Sequence, residues 1–232
     1  MADLQWLYSR KLELRLSQLS SSPPFIYESS GMSWSQFWNE PIKLILKGHT
    51  QSETILLPSP YDSSQALLKE LTPHEKEKPL QRIHGDLCFN NILAEPLSGS
   101  IRLIDPRGEQ PNGAHWPIGF GDSRYDLIKI LHSSRYLYDV VVNGLFTLKK
   151  TSTSFQLELD IPSHYAEANQ AIREHLIQDQ LSAEEERLLT ASLFFSMLPL
   201  HRNEPLNCIA FTCIGSLILE RQFDSVITTC RS

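Results

Sequence analysis

The apolar positions of the chain fall into separable periodic blocks. Leu4, Tyr8, Leu12, Leu16 and Leu19 recur at spacings of four and three, one face of a helix that the run Ser20-Ser21-Ser22-Pro23-Pro24 closes. Phe25-Ile26-Tyr27 reads as a short strand before a turn at Gly31. From Ser33 to Lys47 the pattern predicts a second helix, opened by Ser33 and Gln36 as a capping box and stopped at Gly48. The polar stretch 49–64 reads as loop, with at most a strand at Thr54–Leu57. Residues 64–71 form a short predicted helix ended by Thr72-Pro73, and Glu75-Lys76-Glu77-Lys78 reads as a solvated connection.

Two short apolar runs then flank Glu95-Pro96-Leu97-Ser98-Gly99-Ser100, which predicts a β-hairpin. A turn centred on Ser98 pairs 92 with 104 and 91 with 105. Asn91 and Asp105 would then reach the same open end, roughly 5 Å apart at Cα. A glycine- and proline-rich loop follows from Pro106 to Arg124, then a helix from Tyr125 or Asp126 to about Asn143. Phe146 to Ile161 alternates loosely and predicts a second hairpin. Helices are expected over 163–180, over 182–198 with Ser182 and Glu185 as a capping box, and over 207–223. The class is α+β, mainly α, in one domain over residues 1–232: leading helices to 81, a central segment 82–127, and a helical body from 128.

Composition narrows the function classes. The chain has 232 residues and a formal net charge of −6, which disfavours a nucleic-acid groove and a polybasic membrane face. No apolar run has the length of a bilayer span, and the first residues lack a signal-peptide pattern. The four cysteines, Cys88, Cys208, Cys213 and Cys230, have no zinc-ligand spacing, so reduced thiols and a cytoplasmic location are expected.

The chemistry concentrates in Arg82-Ile83-His84-Gly85-Asp86-Leu87-Cys88-Phe89-Asn90-Asn91-Ile92-Leu93 and Leu103-Ile104-Asp105-Pro106-Arg107-Gly108. A loop acid, a side-chain amide five residues on and a second acid across a hairpin supply three hard oxygen ligands. Such oxygens suit Mg2+, which keeps waters and binds substrate phosphates as well. Phosphoryl transfer divides the labour in that way. Asp86 would orient an attacking hydroxyl and accept its proton, while Asn91 and Asp105 hold metal.

His84-Gly85-Asp86, Asn91 and Ile104-Asp105-Pro106 together resemble the catalytic loop and metal segment of aminoglycoside phosphotransferases and choline kinases, small-molecule relatives of protein kinases. The resemblance implies a protein-kinase-like helical lobe, ATP as phosphoryl donor and Mg2+ as cofactor. It makes Asp86 the catalytic base, Asn91 and Asp105 metal ligands, and His84 and Gly85 loop-orienting residues. Gly121-Asp122-Ser123-Arg124-Tyr125-Asp126-Leu127 is similar to the family segment whose last Asp opens a helix and braces the catalytic loop; Asp126 takes that role by resemblance. The wording of residues 88–93, 104–108 and Ser196-Met197-Leu198-Pro199-Leu200-His201 is similar to phosphotransferase-like proteins of bacterial surface-polysaccharide gene clusters. That similarity implies a sugar or polyol of surface-polysaccharide biosynthesis as the small-molecule acceptor.

Family kinases place a nucleotide-binding lobe of strands ahead of this region, with a glycine-rich loop, a strand lysine and its glutamate partner. Residues 1–83 read instead as helical-lobe elements, without G-x-G-x-x-G, and Lys43 and Lys47 fall on the second predicted helix. Three readings stay open: the lobe lies on a missing segment, a partner chain supplies it, or ATP binding has been lost. The alternatives to a kinase are a non-catalytic binding module, or half-enzyme needing a partner lobe, and a metal-dependent phosphoesterase.

Further candidates for substrate contact are Arg107 and Arg124, each set against a structural ion pair, and Trp116 for stacking on a sugar. His201 is a fourth, set against a helix C-terminal cap. His132, Cys88 and the Trp34, Phe37, Trp38 group read as packing residues.

Overall fold

The computed structural model describes residues 4–21, 33–47, 52–71, 79–107, 117–178, 180–225 and 227. The expectations for Phe25–Tyr27, Gly31, Gly48, residues 75–78 and Trp116 lie outside the described residues. The fold is mixed α+β, about 53% helical and 17% strand, with small sheets. No helix among the described residues is long and apolar enough to cross a membrane.

Helix α1 (Leu4–Ser21) buries Tyr8, Leu12 and Leu19 and packs on α7 (Ala183–Met197), in keeping with its apolar spacing. Ser33 and Gln36 form the expected capping box, but helix α2 stops at Asn39 (Trp34–Asn39). Pro41 is the reason: it has no N–H to give and disfavours helical backbone at Glu40. Its chain continues as a strand, β1 (Ile42–Lys47), in which Ile42, Leu44 and Leu46 face inward and Lys43 is exposed. The expected helix over 33–47 is therefore half strand, and Lys43 and Lys47 lie on that strand. Period two over six residues is easily mistaken for helix when apolar residues fill both phases, as Ile45 does here.

Strand β1 pairs antiparallel with β2 (Ser52–Leu57), in register Ile42↔Leu57, and parallel with β8 (Phe155–Leu159). Strands β7 (Phe146–Lys150) and β8 are the expected second hairpin, so the sheet runs β2-β1-β8-β7. The leading segment is thus joined to the body through β1 and β8 rather than being a set of helices alone. Helix α3 (Pro60–Glu70) starts earlier than expected because Ser59 caps it, its side chain accepting from the Asp62 amide at 3.1 Å, with Pro60 at the first helical position.

Two minor ribbons complete the β structure: β3 (Gln81–Arg82) with β6 (Phe120–Gly121), and β4 (Ile92–Glu95) with β5 (Ser100–Leu103). Helix α4 (Arg124–Ser134) ends short of the expected boundary. Leu137 adopts left-handed backbone, φ 65°, and turns the chain into α5 (Tyr138–Val142). Helix α6 (His164–Ile172) widens into a π-helical turn, Arg173–Ile177.

The core lies between α7 and α8 (Pro205–Leu219), which are apolar around most of their circumference and therefore buried on nearly all sides. They approach closely at Gly215, where an added Cβ would sit 3.1 Å from the Phe194 Cβ and 3.2 Å from the Phe195 ring. Glycine in a helix interior normally costs about 0.5–1 kcal/mol relative to alanine; here close packing compensates. Gly215→Val is expected to lower unfolding free energy by about 1–3 kcal/mol through overpacking. Urea denaturation measures this, and an unchanged midpoint would contradict the close crossing.

Candidate functional site

The loop 84–91 leaves strand β3 and is held from below by one side chain. Asp126, in the first turn of α4, accepts the His84 amide at 2.7 Å on one carboxylate oxygen and the Gly85 amide at 2.8 Å on the other. Both consecutive N–H groups are thereby satisfied, which a loop partly withdrawn from water requires. Gly85 has φ 79°, the left-handed region, and an added Cβ would meet the Arg107 Cβ and carbonyl oxygen at 3.2 Å. The position thus calls for glycine on both backbone and steric grounds.

His84 ties the loop to the segment after β5. Its Nε2–H donates to the Ile104 carbonyl at 2.9 Å, while Nδ1 accepts the Asp86 amide at 3.3 Å, which selects the Nε2–H tautomer. The Arg107 amide donates to the His84 carbonyl at 2.8 Å. Asn91 closes the loop: its Nδ2 donates to the Asp86 carbonyl at 2.9 Å. The short 3₁₀ turn Phe89–Asn91 rests on the body, with the Phe89 amide donating to Ser133 Oγ at 3.2 Å.

Asp86 is buried, and two cations meet it. Lys129 Nζ lies 2.7 Å from Oδ1 and Arg107 Nε 3.1 Å from Oδ2. Burial pushes its carboxyl up, but Lys129, then Arg107 and Lys11, outweigh that and hold it below the usual carboxylate range. Asp86 is therefore an ionised acceptor at neutral pH.

The hairpin register differs from the expectation by one residue. Ile92 pairs with Leu103 and Glu95 with Ser100, so the four-residue turn 96–99 is centred between Leu97 and Ser98. Gly99, with φ 69°, takes the left-handed turn position, and its amide donates to the Glu95 carbonyl at 2.8 Å. Asn91 consequently opposes Ile104, whose amide it accepts at 3.0 Å, and Asp105 lies one residue beyond with left-handed backbone, φ 54°. The sequence pattern placed the pair at one end of the hairpin, and the chain does bring them there, but through a kink at Asp105 and not as opposed strand residues.

No three His, Cys, Asp or Glu side chains gather as a metal site among the described residues. The expected set needs fewer: Asn91 Oδ1 and the Asp105 carboxylate, with substrate phosphates and water. Asn91 uses its Nδ2 inward and leaves Oδ1 without a partner among the described residues, and Asp105 is exposed, its carboxylate likewise uncommitted. Two free hard oxygens at one loop end fit Mg2+ in that shared arrangement.

Two residues of this cluster escaped the sequence reading. Lys129 stands alone in the apolar run Leu127-Ile128-Lys129-Ile130-Leu131, one helical turn after Asp126. A lone lysine on an apolar helix face was the available signal. Lys11, a charged residue beside the apolar face of α1, reaches Tyr125, donating to its hydroxyl at 2.6 Å and lying 5.1 Å above the ring centroid.

The secondary candidates separate. Arg107 stands in the site and is 40% exposed. Arg124 is buried, with its guanidinium committed to Asp122 and Glu185, each at 2.5 Å, so it joins α4 to α7 and is not available to a substrate. His201 follows α7, pairs through Nδ1 with Glu204 at 2.8 Å and packs on Phe211. The Tyr138 ring contacts both His201 and Lys129, so His201 sits a layer behind the loop. Trp116 lies outside the described residues. His132 is fully buried between Tyr138 and Phe194, and burial lowers its imidazole well below the ordinary value, a neutral packing group. Burial, then Asp86, raise the Cys88 thiol, which removes thiolate character.

Comparison with protein-family models, curated proteins and solved structures returned no match.

The depressed carboxyl of Asp86 sets a pH dependence. Its contribution to stability is complete above the ordinary carboxylate pKa and is lost as pH falls through the lower folded value. In Lys129→Met, burial still acts while the nearer cation is gone. The Asp86 carboxyl is expected to titrate about 1 pH unit or more higher, nearer its unfolded value, so that the stability this group loses on acidification shrinks. Carboxyl-carbon NMR titration reads this directly; an unmoved Asp86 resonance would refute the pairing.

Proposed function

We propose that this chain is an ATP- and Mg2+-dependent phosphotransferase acting on a hydroxyl of a small metabolite, a sugar or polyol of surface-polysaccharide biosynthesis. The observation that carries the reading is the Asp126 carboxylate bridging the His84 and Gly85 amides. It fixes the position of the following residue, Asp86, which Lys129 and Arg107 keep ionised, in a loop that Asn91 ties shut. The fixed placement of a carboxylate beside two uncommitted hard oxygens is what in-line phosphoryl transfer asks of a protein, since positioning and electrostatics supply most of that catalysis.

In this reading Asp86 accepts a hydrogen bond from the acceptor hydroxyl and takes its proton as the oxygen–phosphorus bond forms and ADP departs. Low proton affinity suits that order, because Asp86 orients the nucleophile before it takes the proton. Asn91 Oδ1 and Asp105 would hold Mg2+, which when bound neutralises charge on the donor's phosphates. Lys129 keeps Asp86 ionised and fixes its rotamer from the buried side.

One observation favours a second reading, a half-enzyme or non-catalytic module that works with a further segment or partner chain. The β4–β5 register puts Ile92, Ala94, Ile101 and Leu103 on one hairpin face. That face is apolar throughout, yet Ile101 is 68% and Leu103 53% exposed. A two-stranded ribbon is marginal in water without such a face covered.

Calorimetric titration with MgATP separates the readings. Saturable binding supports autonomous transfer; no heat at millimolar nucleotide, with the chain folded, leaves only the partnered or binding module. Given turnover on a sugar and polyol panel followed by phosphorus NMR, Asp86→Asn is expected to lower it about 10²–10⁴-fold with the fold intact. Unchanged turnover would remove Asp86 as the base.

A further inference from the structure

Three cations from three separate parts of the chain converge on the candidate loop: Lys11 from α1, Arg107 after β5 and Lys129 from α4. Lys129 is spent on Asp86, at 2.7 Å and almost fully buried. The other two are not spent. Arg107 uses Nε on Asp86, and its two Nη groups have no partner among the described residues, on a side chain 40% exposed. Lys11 has no carboxylate partner among the described residues; its amine meets only the Tyr125 hydroxyl and ring face.

Holding an amine in that position is unfavourable in the free protein. Burial first, then Arg107 and Arg15, lower Lys11 to about 8, against the opposing pull of Asp86. Below that pH the folded chain carries a half-buried cation with no ion-pair partner among the described residues. Between about 8 and the ordinary lysine value the unfolded chain holds a proton that the folded chain has released. The group's contribution to stability therefore rises with pH across that window, and at neutral pH it is a net cost. A cation kept at such a cost beside a buried carboxylate is a candidate functional group. The aromatic setting adds to this: Tyr125 is itself fixed against Tyr8, ring centroids 5.4 Å apart, so the amine has a rigid seat facing the loop.

We propose that Lys11 and Arg107 form an anion-binding edge beside Asp86, so that the acceptor is a hydroxyl compound carrying a phosphate or carboxylate group. This rests on the phosphotransferase reading for the word acceptor, and on the geometry alone for the anion edge. The edge places the acceptor's charged group between α1 and residue 107, leaving its hydroxyl toward Asp86. The leading helix is thereby part of the site and not only packing for α7.

The test is titration of the whole chain with inorganic phosphate and, separately, acetate, by calorimetry, with and without saturating MgADP. One of the two anions is expected to bind in the millimolar range, and which one names the charged group. MgADP should not displace it. Lys11→Met and Lys11→Gln should each weaken it about tenfold, the loss of one charge-assisted contact, while raising the melting temperature because the buried charge is gone. Absence of binding by both anions at tens of millimolar would overturn the proposal. So would unchanged affinity in both Lys11 variants, or displacement by MgADP, which would assign the edge to the donor's phosphates. If MgADP itself does not bind while the anion behaves as expected, the phosphotransferase reading fails and the anion edge stands.

Discussion

One carboxylate accepting two successive amides organises this molecule's most chemically loaded segment. Asp126 holds His84 and Gly85 at 2.7 and 2.8 Å, and each later contact of the loop presumes that anchorage. The left-handed turn at Gly85 directs Asp86 inward toward Lys129, which lies on the same helix as Asp126, one turn on. Helix α4 therefore supplies both the anchor and the counter-ion, so the loop and its charge balance move as one unit. Hydrogen bonds to a charged acceptor are worth roughly 1.5–3 kcal/mol each, enough to hold a short loop against its conformational entropy.

The electrostatics follow from that placement. Buried carboxylates are expensive unless paired, and Asp86 is paired on both oxygens. Asp139, nearby on α5, shows the contrast. No cation among the described residues pairs with its carboxylate, and burial raises it above the ordinary value against the weaker pull of Ser133, Lys129 and the Asn90 and Phe89 amides. The two acids differ in environment, not in type, and the difference favours ionisation where the candidate chemistry lies.

Much of the fold was legible in apolar spacing. Helices α1, α7 and α8 and the β7–β8 hairpin lie close to where periodicity put them, because their packing faces are long and regular. The failures have local causes. Pro41 cuts a predicted helix and starts a strand whose inward residues, Ile42, Leu44 and Leu46, are joined by Ile45 in the other phase. The β4–β5 register slipped by one because the turn has four residues and Gly99, not Ser98, takes the left-handed position. Loop residues Asp86, Asn91 and Asp126 could be picked out because their spacing lies within one segment. Lys11 and Lys129 could not be placed, since the first depends on how α1 crosses α4 and the second on which face of α4 meets the loop. Arg124 illustrates the same limit from the other side: its sequence neighbourhood left a substrate contact and a structural ion pair both open, and one of its two partners, Glu185, is distant in the chain.

The central claim is that the Asp126 carboxylate holds the loop that presents Asp86. Amide hydrogen exchange at His84 and Gly85, compared between the unmodified chain and Asp126→Asn, tests it most directly. An amide side chain can still accept one of the two N–H groups but carries no charge and keeps only one strong acceptor. The account expects both amides to be protected in the unmodified chain. In the variant, at least one should lose protection by tenfold or more while helices α7 and α8 keep theirs. Equal protection of both amides in the two proteins would contradict it.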